Sequence, residues 1–317
     1  MTKITMTKGF SLIELMVAML ISLFLTLGLF AMFSMSATNI ITTGQFNQLQ
    51  ENGRLALAII TPDLMQTGFM GDATGQSLRL GTGVEVRDAI ANDCIGAGIN
   101  NRSLPTSAGN FRLLWGYENG NSAESIGCLS SVEANTDVVQ IKRMVGPAAA
   151  SSGYRAATKG DNIVFFSNEA NKPTDIEYRT WQYQHRIYYI SDVNGEPVLT
   201  RRALSSSGMN NIEQLVEGVE NMRILYGIDM NGDDVADKFL AANDVAETMW
   251  NNSSTNRVVA FKVFFLVRAV DADRSYQNDK TYTLGDKQLG PFNDNYRRIV
   301  LSTMVVLENP LAQLEDS

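Results

Sequence analysis

Glu14 is the residue whose position in the sequence most strongly suggests chemistry. From Leu15 to Gln50 there is no Asp, Glu, Lys or Arg, so this carboxyl group stands at the very start of a long uncharged stretch. A carboxylate at the edge of an apolar membrane segment is costly unless it meets a cation at the same depth. Lys8 is one such cation, and a new α-amino group would be another if the first residues are removed. We therefore expect Glu14 to form an ion pair.

A second group of polar residues has the spacing of a calcium-binding loop. Carboxylate and amide oxygens alternate along it, and a backbone carbonyl follows, as Ca²⁺ requires. Asp234 replaces the usual glycine and Leu240 stands where a bidentate Glu is expected, so an acidic Asn-Gly turn is the alternative. No cofactor is required by the sequence, and structural Ca²⁺ is the candidate that it suggests. The candidate ligands are Asp229, Asn231, Asp233, the Val235 carbonyl and Asp237.

Little in the composition supports catalysis or nucleic-acid binding. The chain has one His and two Cys, and His185 lies in a predicted strand without a constellation of Ser, Cys or Asp around it. We expect no enzymatic activity. The net charge of −8 argues against a phosphate-binding surface, which would select for Lys and Arg. We therefore interpret three dibasic pairs as ordinary strand-flanking charge and not as a DNA-uptake surface: Lys142-Arg143, Arg201-Arg202 and Arg297-Arg298.

The element that must position Glu14 is a membrane-spanning helix. Residues Leu15 to Phe33 are interrupted only by Ser22, Thr26 and Gly28, and a bilayer core needs about 20 apolar helical residues. Lys3 and Lys8 precede the run, which predicts a cytoplasmic N-terminus and an exported remainder. A cleaved secretory signal is the alternative, but the run is too long for one and ends in no small-residue cleavage site.

The helix is predicted to continue beyond the membrane as an amphipathic helix. Apolar residues recur there at steps of three and four, which is the pattern of one buried face. Pro62 should kink this helix or start a new turn, and Gly68 and Gly71 should end it. The residues of the buried face are Phe46, Leu49, Gly53, Leu57, Ile60 and Leu64.

The rest of the chain is predicted to be rich in β-strands. The clearest strand is Arg257–Val270, which is apolar on both faces and therefore central in a sheet. Ile212–Met222 has helical spacing and is predicted to be a helix followed by a strand through Tyr226. Segments 72–110, 117–135 and 271–295 read as loops. The other predicted strands are Tyr296–Leu307, Asp137–Val145, Asn162–Ser167, His185–Ser191 and Val198–Ala203.

Cys94 and Cys128 both fall in loop-rich sequence. If the exported part of the chain faces an oxidising compartment, an even pair of cysteines most simply forms a disulfide. Two isolated thiols are the alternative. A disulfide across this separation would stabilise the fold by roughly 2–4 kcal/mol.

The first residues carry a specific resemblance. Lys8-Gly9-Phe10-Ser11-Leu12-Ile13-Glu14 resembles the class III signal of type IV prepilins and pseudopilins. The resemblance implies that a leader is cut off between Gly9 and Phe10 and that the new N-terminal Phe10 is methylated. It also implies that Glu14 pairs with the N-terminus of a neighbouring subunit during assembly.

Two later segments resemble the PilW-type minor pilins. Leu49-Gln50-Glu51-Asn52-Gly53-Arg54 is similar to a Glu-Asn-x-Arg segment of that family, and Asp63 to Gly71 is similar to the end of its helix. Arg297-Arg298 followed by an apolar run resembles the family's C-terminal end. The chain departs from the pattern at Leu64-Met65, where a basic residue is common.

The resemblance implies a type IV pilin-like α+β fold. A long N-terminal helix, half transmembrane and half amphipathic, would pack on a large antiparallel β-rich head. The expected division is a leader over residues 1–9, a pilin helix over 10–70 that spans the membrane at about residues 12–35, and a periplasmic head over 71–317.

The expected function is that of a minor pilin that helps to initiate type IV pilus assembly and sits at or near the tip, in support of twitching motility, adhesion or DNA uptake. The alternative is a J-type minor pseudopilin at the tip of a type II secretion pseudopilus. Expected partners are other minor pilins, the major pilin, the prepilin peptidase/methyltransferase, the inner-membrane assembly platform and a tip adhesin, without direct nucleic-acid binding. The chain would cross the inner membrane once, with a periplasmic head, before it enters the fibre.

Overall fold

The computed structural model describes residues 9–120, 125–146, 153–251, 254–309 and 311. The predicted leader lies outside these residues except for Gly9, as do Lys3 and Lys8. The chain forms two compact units, Met1–Gln48 and Leu49–Ser317. We call them the N-terminal unit and the C-terminal unit.

One helix, α1, begins in the N-terminal unit and ends in the C-terminal unit, at Leu12–Met65. It runs through Pro62 and ends before the predicted limit at residue 70. The helix stops because Met65 O accepts a hydrogen bond from Glu308 N (2.9 Å), while Thr67 N bonds to Leu64 O in a tighter turn. Within the described residues, α1 is the one helix long and apolar enough to cross a membrane, judged by length and composition.

The larger sheet of the C-terminal unit has nine strands in the order β1-β2-β6-β5-β7-β4-β3, with β8 and β9 continuing from the second half of β7. Its pairings are antiparallel except β1–β2 and β2–β6, which are parallel. The strands are β1 (Arg79–Leu80), β2 (Gly83–Val86), β3 (Leu114–Glu118), β4 (Asp137–Val145), β5 (Arg155–Lys159), β6 (Asn162–Phe166), β7 (Arg179–Val193), β8 (Glu196–Ser205) and β9 (Gly208–Glu217).

The second sheet is antiparallel and has the order β11-β10-β12-β15, and a separate hairpin pairs β13 with β14. The two apolar faces of β12 predicted a central strand. The prediction is confirmed, because β12 pairs with β10 on one side and with β15 on the other. A short helix, α2 (Glu247–Trp250), precedes it. The strands are β10 (Val219–Asp229), β11 (Lys238–Ala241), β12 (Arg257–Arg268), β13 (Tyr282–Leu284), β14 (Lys287–Leu289) and β15 (Arg298–Val306).

The helix predicted over Ile212–Met222 is wrong. These residues belong to β9 and β10, which meet at Gly218. A side chain there would need a left-handed backbone (φ +77°) and would place its Cβ 2.5 Å from Arg268 O. The apparent helical spacing arises because two strands of different register adjoin at this glycine. Short strands also occur inside the predicted loops, namely β1 and β2 within 72–110 and β13 and β14 within 271–295.

The last part of α1, residues 49–65, contributes to the core of the C-terminal unit. Its buried apolar side chains join one cluster with those of both sheets, which confirms the pilin-like α+β fold expected from the sequence. The helical residues that are fully buried in this cluster are Leu49, Ala56, Ile60 and Leu64.

Candidate functional site

At the start of α1, the side chains of Glu14 and Ser11 each accept a hydrogen bond from the backbone N–H of the other residue. Ser11 N donates to Glu14 Oε2 (2.9 Å), and Glu14 N donates to Ser11 Oγ (3.3 Å). This reciprocal arrangement is a capping box, which satisfies amide groups that a helix N-terminus otherwise leaves free. The carboxylate that the sequence assigns to assembly is therefore held at the first turn of the helix, where the helix dipole also favours negative charge.

The N-terminal unit exposes a continuous apolar surface. Phe10 is 89% exposed, and the large apolar side chains from Leu12 to Met35 are all at least half exposed. The hydroxyl groups in this stretch are satisfied internally, because Ser22 Oγ donates to Met19 O and Thr26 Oγ1 donates to Ser22 O. Such a surface is stable only when lipid or other apolar helices cover it.

Farther along α1, Asn52 contacts the end of β9 in the larger sheet, and Gly53 contacts β15 in the second sheet. Asn52 Nδ2 donates to Glu217 O (3.0 Å), at the junction between β9 and β10. A Cβ at Gly53 would lie 2.4 Å from Leu301 Cδ1 of β15, so any larger residue there would require the Leu301 side chain to shift. The Glu-Asn-x-Arg segment noted in the sequence thus supplies two residues that dock the helix.

Asp63 forms the strongest polar contact between α1 and the larger sheet. Its carboxylate accepts hydrogen bonds from Arg143 Nη2 (2.7 Å), from Arg186 Nη1 (2.6 and 2.7 Å) and from the hydroxyl of Tyr188, and Arg201 Nη1 lies 4.0 Å away. The Asp63 side chain is buried, so these charges have little access to water. Burial together with the adjacent Asp63 carboxylate raises the pKa of the Tyr188 phenol, which therefore stays protonated and donates.

The three dibasic pairs do not form an exposed basic surface. Lys142 and Arg143 are buried, and Lys142 Nζ donates to Arg112 O. Arg201 pairs with Glu213, and Arg202 donates to Cys128 O (2.6 Å). Arg297 Nη2 pairs with Asp273 Oδ2 (2.8 Å), and Arg298 pairs with Glu220 and Asp294.

Cys94 and Cys128 are joined in a disulfide, as the sequence predicts, across a separation of 34 residues. Backbone bonding continues beside the bridge, where Gly127 N donates to Ile95 O (3.0 Å). The bridge therefore ties the long segment after β2 to the segment between β3 and β4.

The predicted calcium loop follows β10 and is held by its own hydrogen bonds. The buried Asp229 carboxylate accepts from Asn231 N, Gly232 N and Asp234 N, and the Arg257 guanidinium lies 3.3 Å from it. These backbone N–H groups, together with Arg257, hold the pKa of the Asp229 carboxyl below its usual value despite desolvation.

Two other acidic side chains of this loop are also engaged by its backbone. Asp233 and Asp237 also accept backbone N–H groups, from Val235 and Met230 respectively. Among the described residues, no three acidic, His or Cys side chains come together in a group that could hold a metal ion. Calcium binding through Asp229, Asn231, Asp233, Val235 and Asp237 stays a prediction from the sequence.

The surroundings of His185 differ from the expectation. The fold brings Ser103 and Asp93 to it: Ser103 Oγ donates to Asp93 Oδ1 (2.5 Å) and lies 2.7 Å from His185 Nδ1. The hydroxyl sits between acid and imidazole, whereas a hydrolase needs the imidazole between the other two. His185 and Ser103 are fully buried, so as folded no substrate reaches them.

Lys142 shares this buried environment. Its ammonium group lies 4.5 Å from the centre of the Phe111 ring, and burial lowers its pKa to about 7. Burial and the nearby Lys142 likewise hold the pKa of His185 well below its ordinary value, so the imidazole is neutral. The cluster is a polar part of the core.

The sequence-based interpretation missed two of these features, the capping box and the partners of Asp63, although the capping box has a recognisable sequence pattern. Ser11 and Glu14 have the Ser-x-x-Glu spacing of a capping box directly before an apolar run. Asp63 lies 80 and 123 residues from its arginine partners, and no local pattern indicates which distant cations it meets.

Two family models match the chain. Residues 187–309 match the model described as Type IV Pilus-assembly protein W, and residues 5–30 match the Prokaryotic N-terminal methylation motif. The first match extends from within β7 to just beyond β15, and the second includes Gly9, Phe10 and Glu14. No curated protein and no solved structure matches the chain.

Proposed function

We propose that this chain is a minor pilin that helps to initiate assembly of a type IV pilus. The two family matches and the fold, which support a PilW-type pilin, are the premise of this proposal. The chain would lose its leader after Gly9, carry a methylated Phe10 and enter the fibre through its N-terminal helix. Its role in the fibre would be structural and not enzymatic.

The observation that carries this proposal is the uncovered apolar helix with one carboxylate at its first turn. Moving such a helix from lipid into a bundle of similar helices exchanges one apolar surrounding for another, so burial alone discriminates little. An ion pair between Glu14 and the α-amino group of a neighbour would instead fix the register, because a misplaced subunit would leave both charges unpaired. In the isolated chain the capping box holds this carboxylate in place.

The size of the C-terminal unit supports a position at or near the tip. The unit comprises Leu49–Ser317, which is awkward to repeat along a tightly packed shaft. A tip complex would let the chain prime assembly together with other minor pilins, contact the major pilin and present an adhesin. The inner-membrane platform and the prepilin peptidase/methyltransferase would act on it before assembly, while the C-terminal unit faces the periplasm.

Affinity capture of the tagged full chain after crosslinking in cells tests this proposal. We expect recovery of pilus minor pilins and of a tip adhesin. Recovery of type II secretion subunits would contradict it and favour a J-type pseudopilin. If sheared fibres contain this chain along their length, at a copy number like that of the major pilin, the tip position is contradicted.

A further inference from the structure

The last strand, β15, is an edge strand. It pairs with β12 on one side, and within the described part of the chain no strand pairs with its other side. Leu307 N donates to Val259 O and Ala269 N donates to Arg297 O, so the odd-numbered residues face β12. By the alternation of antiparallel pairing, the N–H and C=O groups of the even-numbered residues point outward. These residues are Val300, Ser302, Met304 and Val306.

The run of outward-facing backbone groups without a strand partner ends before Glu308. Glu308 N, the next outward amide, donates to Met65 O at the end of α1 (2.9 Å). The outward groups before it are thus the ones left for another strand.

The edge strands β1, β9 and β11 carry features that discourage strand addition, and β15 does not. β11 has only four residues and begins with Lys238, and β1 has only two residues. β9 has two register irregularities and carries Glu213 and Glu217. β15 has nine residues, an unbroken register, no proline and no charge after Arg298. Natural proteins normally protect a long regular edge of this kind.

Two side chains of these even-numbered residues are also largely exposed. Met304 is 54% exposed and Val306 is 55% exposed. They lie on the face opposite to Leu301, which meets α1 at Gly53. An added strand would therefore find both a free backbone edge and apolar side chains on which to pack.

We propose that the outer edge of β15 receives an extended segment of another fibre protein, which adds to the second sheet as a fifth strand. Backbone hydrogen bonds would hold this segment, and its apolar side chains at alternate positions would pack on Met304 and Val306. That the partner is a fibre protein rests on the proposed function, whereas the strand addition itself does not.

A second copy of β15 fits less well as an antiparallel partner. Gly53 lies at Leu301 and Met65 lies at Glu308, so residues 53–65 of α1 run in the same direction as β15. Antiparallel pairing of two copies of β15 would point their helices in opposite directions. Two chains inserted in one membrane with their C-terminal units on the same side do not meet in this way.

Site-specific photocrosslinking of the full chain in cells tests the proposal. A photoreactive phenylalanine analogue is placed in turn at Ser302, Met304 and Val306, with Ile212 on β9 (53% exposed) as a matched exposed control. We expect crosslinks to one segment of one partner, in which each two-residue step of the probe moves the attachment site by two residues. The control should not reach this segment.

Absence of crosslinks at all three positions, or attachment sites that do not move in step, would overturn the proposal, and so would attachment to β15 of a second copy. Stepwise attachment to a protein that is not in the fibre would support strand addition and contradict the proposed function. The two hypotheses therefore fail separately.

A pair of variants sharpens the test. Ser302→Pro removes one outward N–H and leaves the bonds to β12, since proline is tolerated at an edge when its nitrogen faces outward. We expect the crosslink at Val306 to fall about tenfold, and Ser302→Ala to leave it unchanged. An undiminished crosslink in Ser302→Pro would contradict the proposal. If that variant does not fold, hydrogen exchange of the wild-type Ser302 and Met304 amides decides, because they must be fast in the purified chain and protected in the complex.

Discussion

The two parts of α1 belong to one continuous helix and yet have opposite surroundings. In residues 12–48 the apolar side chains are exposed, whereas in residues 49–65 Leu49, Ile60 and Leu64 are fully buried in the core of the C-terminal unit. The difference therefore lies in what covers each part, and only the second part finds its cover within the same chain.

The carboxylates of the two parts show the same contrast. Asp63 is buried and is bound by Arg143, Arg186 and Tyr188 from the larger sheet. Glu14 is exposed and bonds to its own first turn. A carboxylate that is satisfied within the fold should matter for stability, and one that awaits a partner should matter for assembly.

The largest expected change in stability is that of Asp63→Asn. The substitution leaves Arg143 and Arg186 buried without their counter-charge, which should lower the free energy of unfolding by about 3–5 kcal/mol and Tm by roughly 10 °C. Thermal unfolding of the full chain in detergent measures the effect. Asp175→Asn, at an exposed pair with Lys159, is the control and should leave Tm unchanged. Equal Tm values for the two variants would remove the distinction between the two parts of α1.

Loss of the disulfide should have the next largest effect. Replacing Cys94 and Cys128 together by Ser should destabilise the C-terminal unit by about 2–4 kcal/mol, because the unfolded chain regains the freedom that the bridge removes. Denaturant unfolding in detergent, with and without reductant, measures it. The helical signal of residues 12–48 should not change, and a loss of that signal would mean that the N-terminal unit depends on the bridge.

Buried Lys142 should make the stability of the C-terminal unit depend on pH. Its pKa is about 7 in the folded chain and about 10.4 in the unfolded chain. Between these values only the unfolded chain holds the proton, so the free energy of unfolding should rise by about 2 kcal/mol from pH 7 to pH 9. Lys142→Met should flatten this rise in denaturant titrations. A rise of the same size in the variant would show that another group causes it.

The smallest expected effect concerns the loop after β10. If Asp229, Asn231 and Asp233 bind Ca²⁺ as their spacing predicts, a calcium concentration ten times Kd should stabilise the full chain by about 1.4 kcal/mol. Asp233→Ala should abolish the shift in Tm, and Mg²⁺ should not reproduce it. An unchanged Tm in Ca²⁺ would agree with the hydrogen-bonded loop around Arg257 and contradict calcium binding.

Local patterns in the sequence predicted much of the fold, but they did not predict contacts between residues far apart in the chain. The central position of β12 followed from its two apolar faces, and the cystine followed from an even pair of cysteines. The error at Ile212–Met222 arose because strand residues on either side of Gly218 imitate helical spacing. The partners of Asp63 and the approach of Ser103 to His185 depend on how separate strands and loops meet, which no sequence period records.

The most direct test compares Glu14→Ala with Ser11→Ala in the full chain. Both variants break the capping box, but only the first removes the carboxylate. We expect both to be cleaved after Gly9, to insert into the membrane and to keep the Tm of the C-terminal unit. The amount of each chain in sheared pili is the decisive measurement. The account predicts that Glu14→Ala is absent from the fibres and Ser11→Ala is present, and normal incorporation of Glu14→Ala would contradict it.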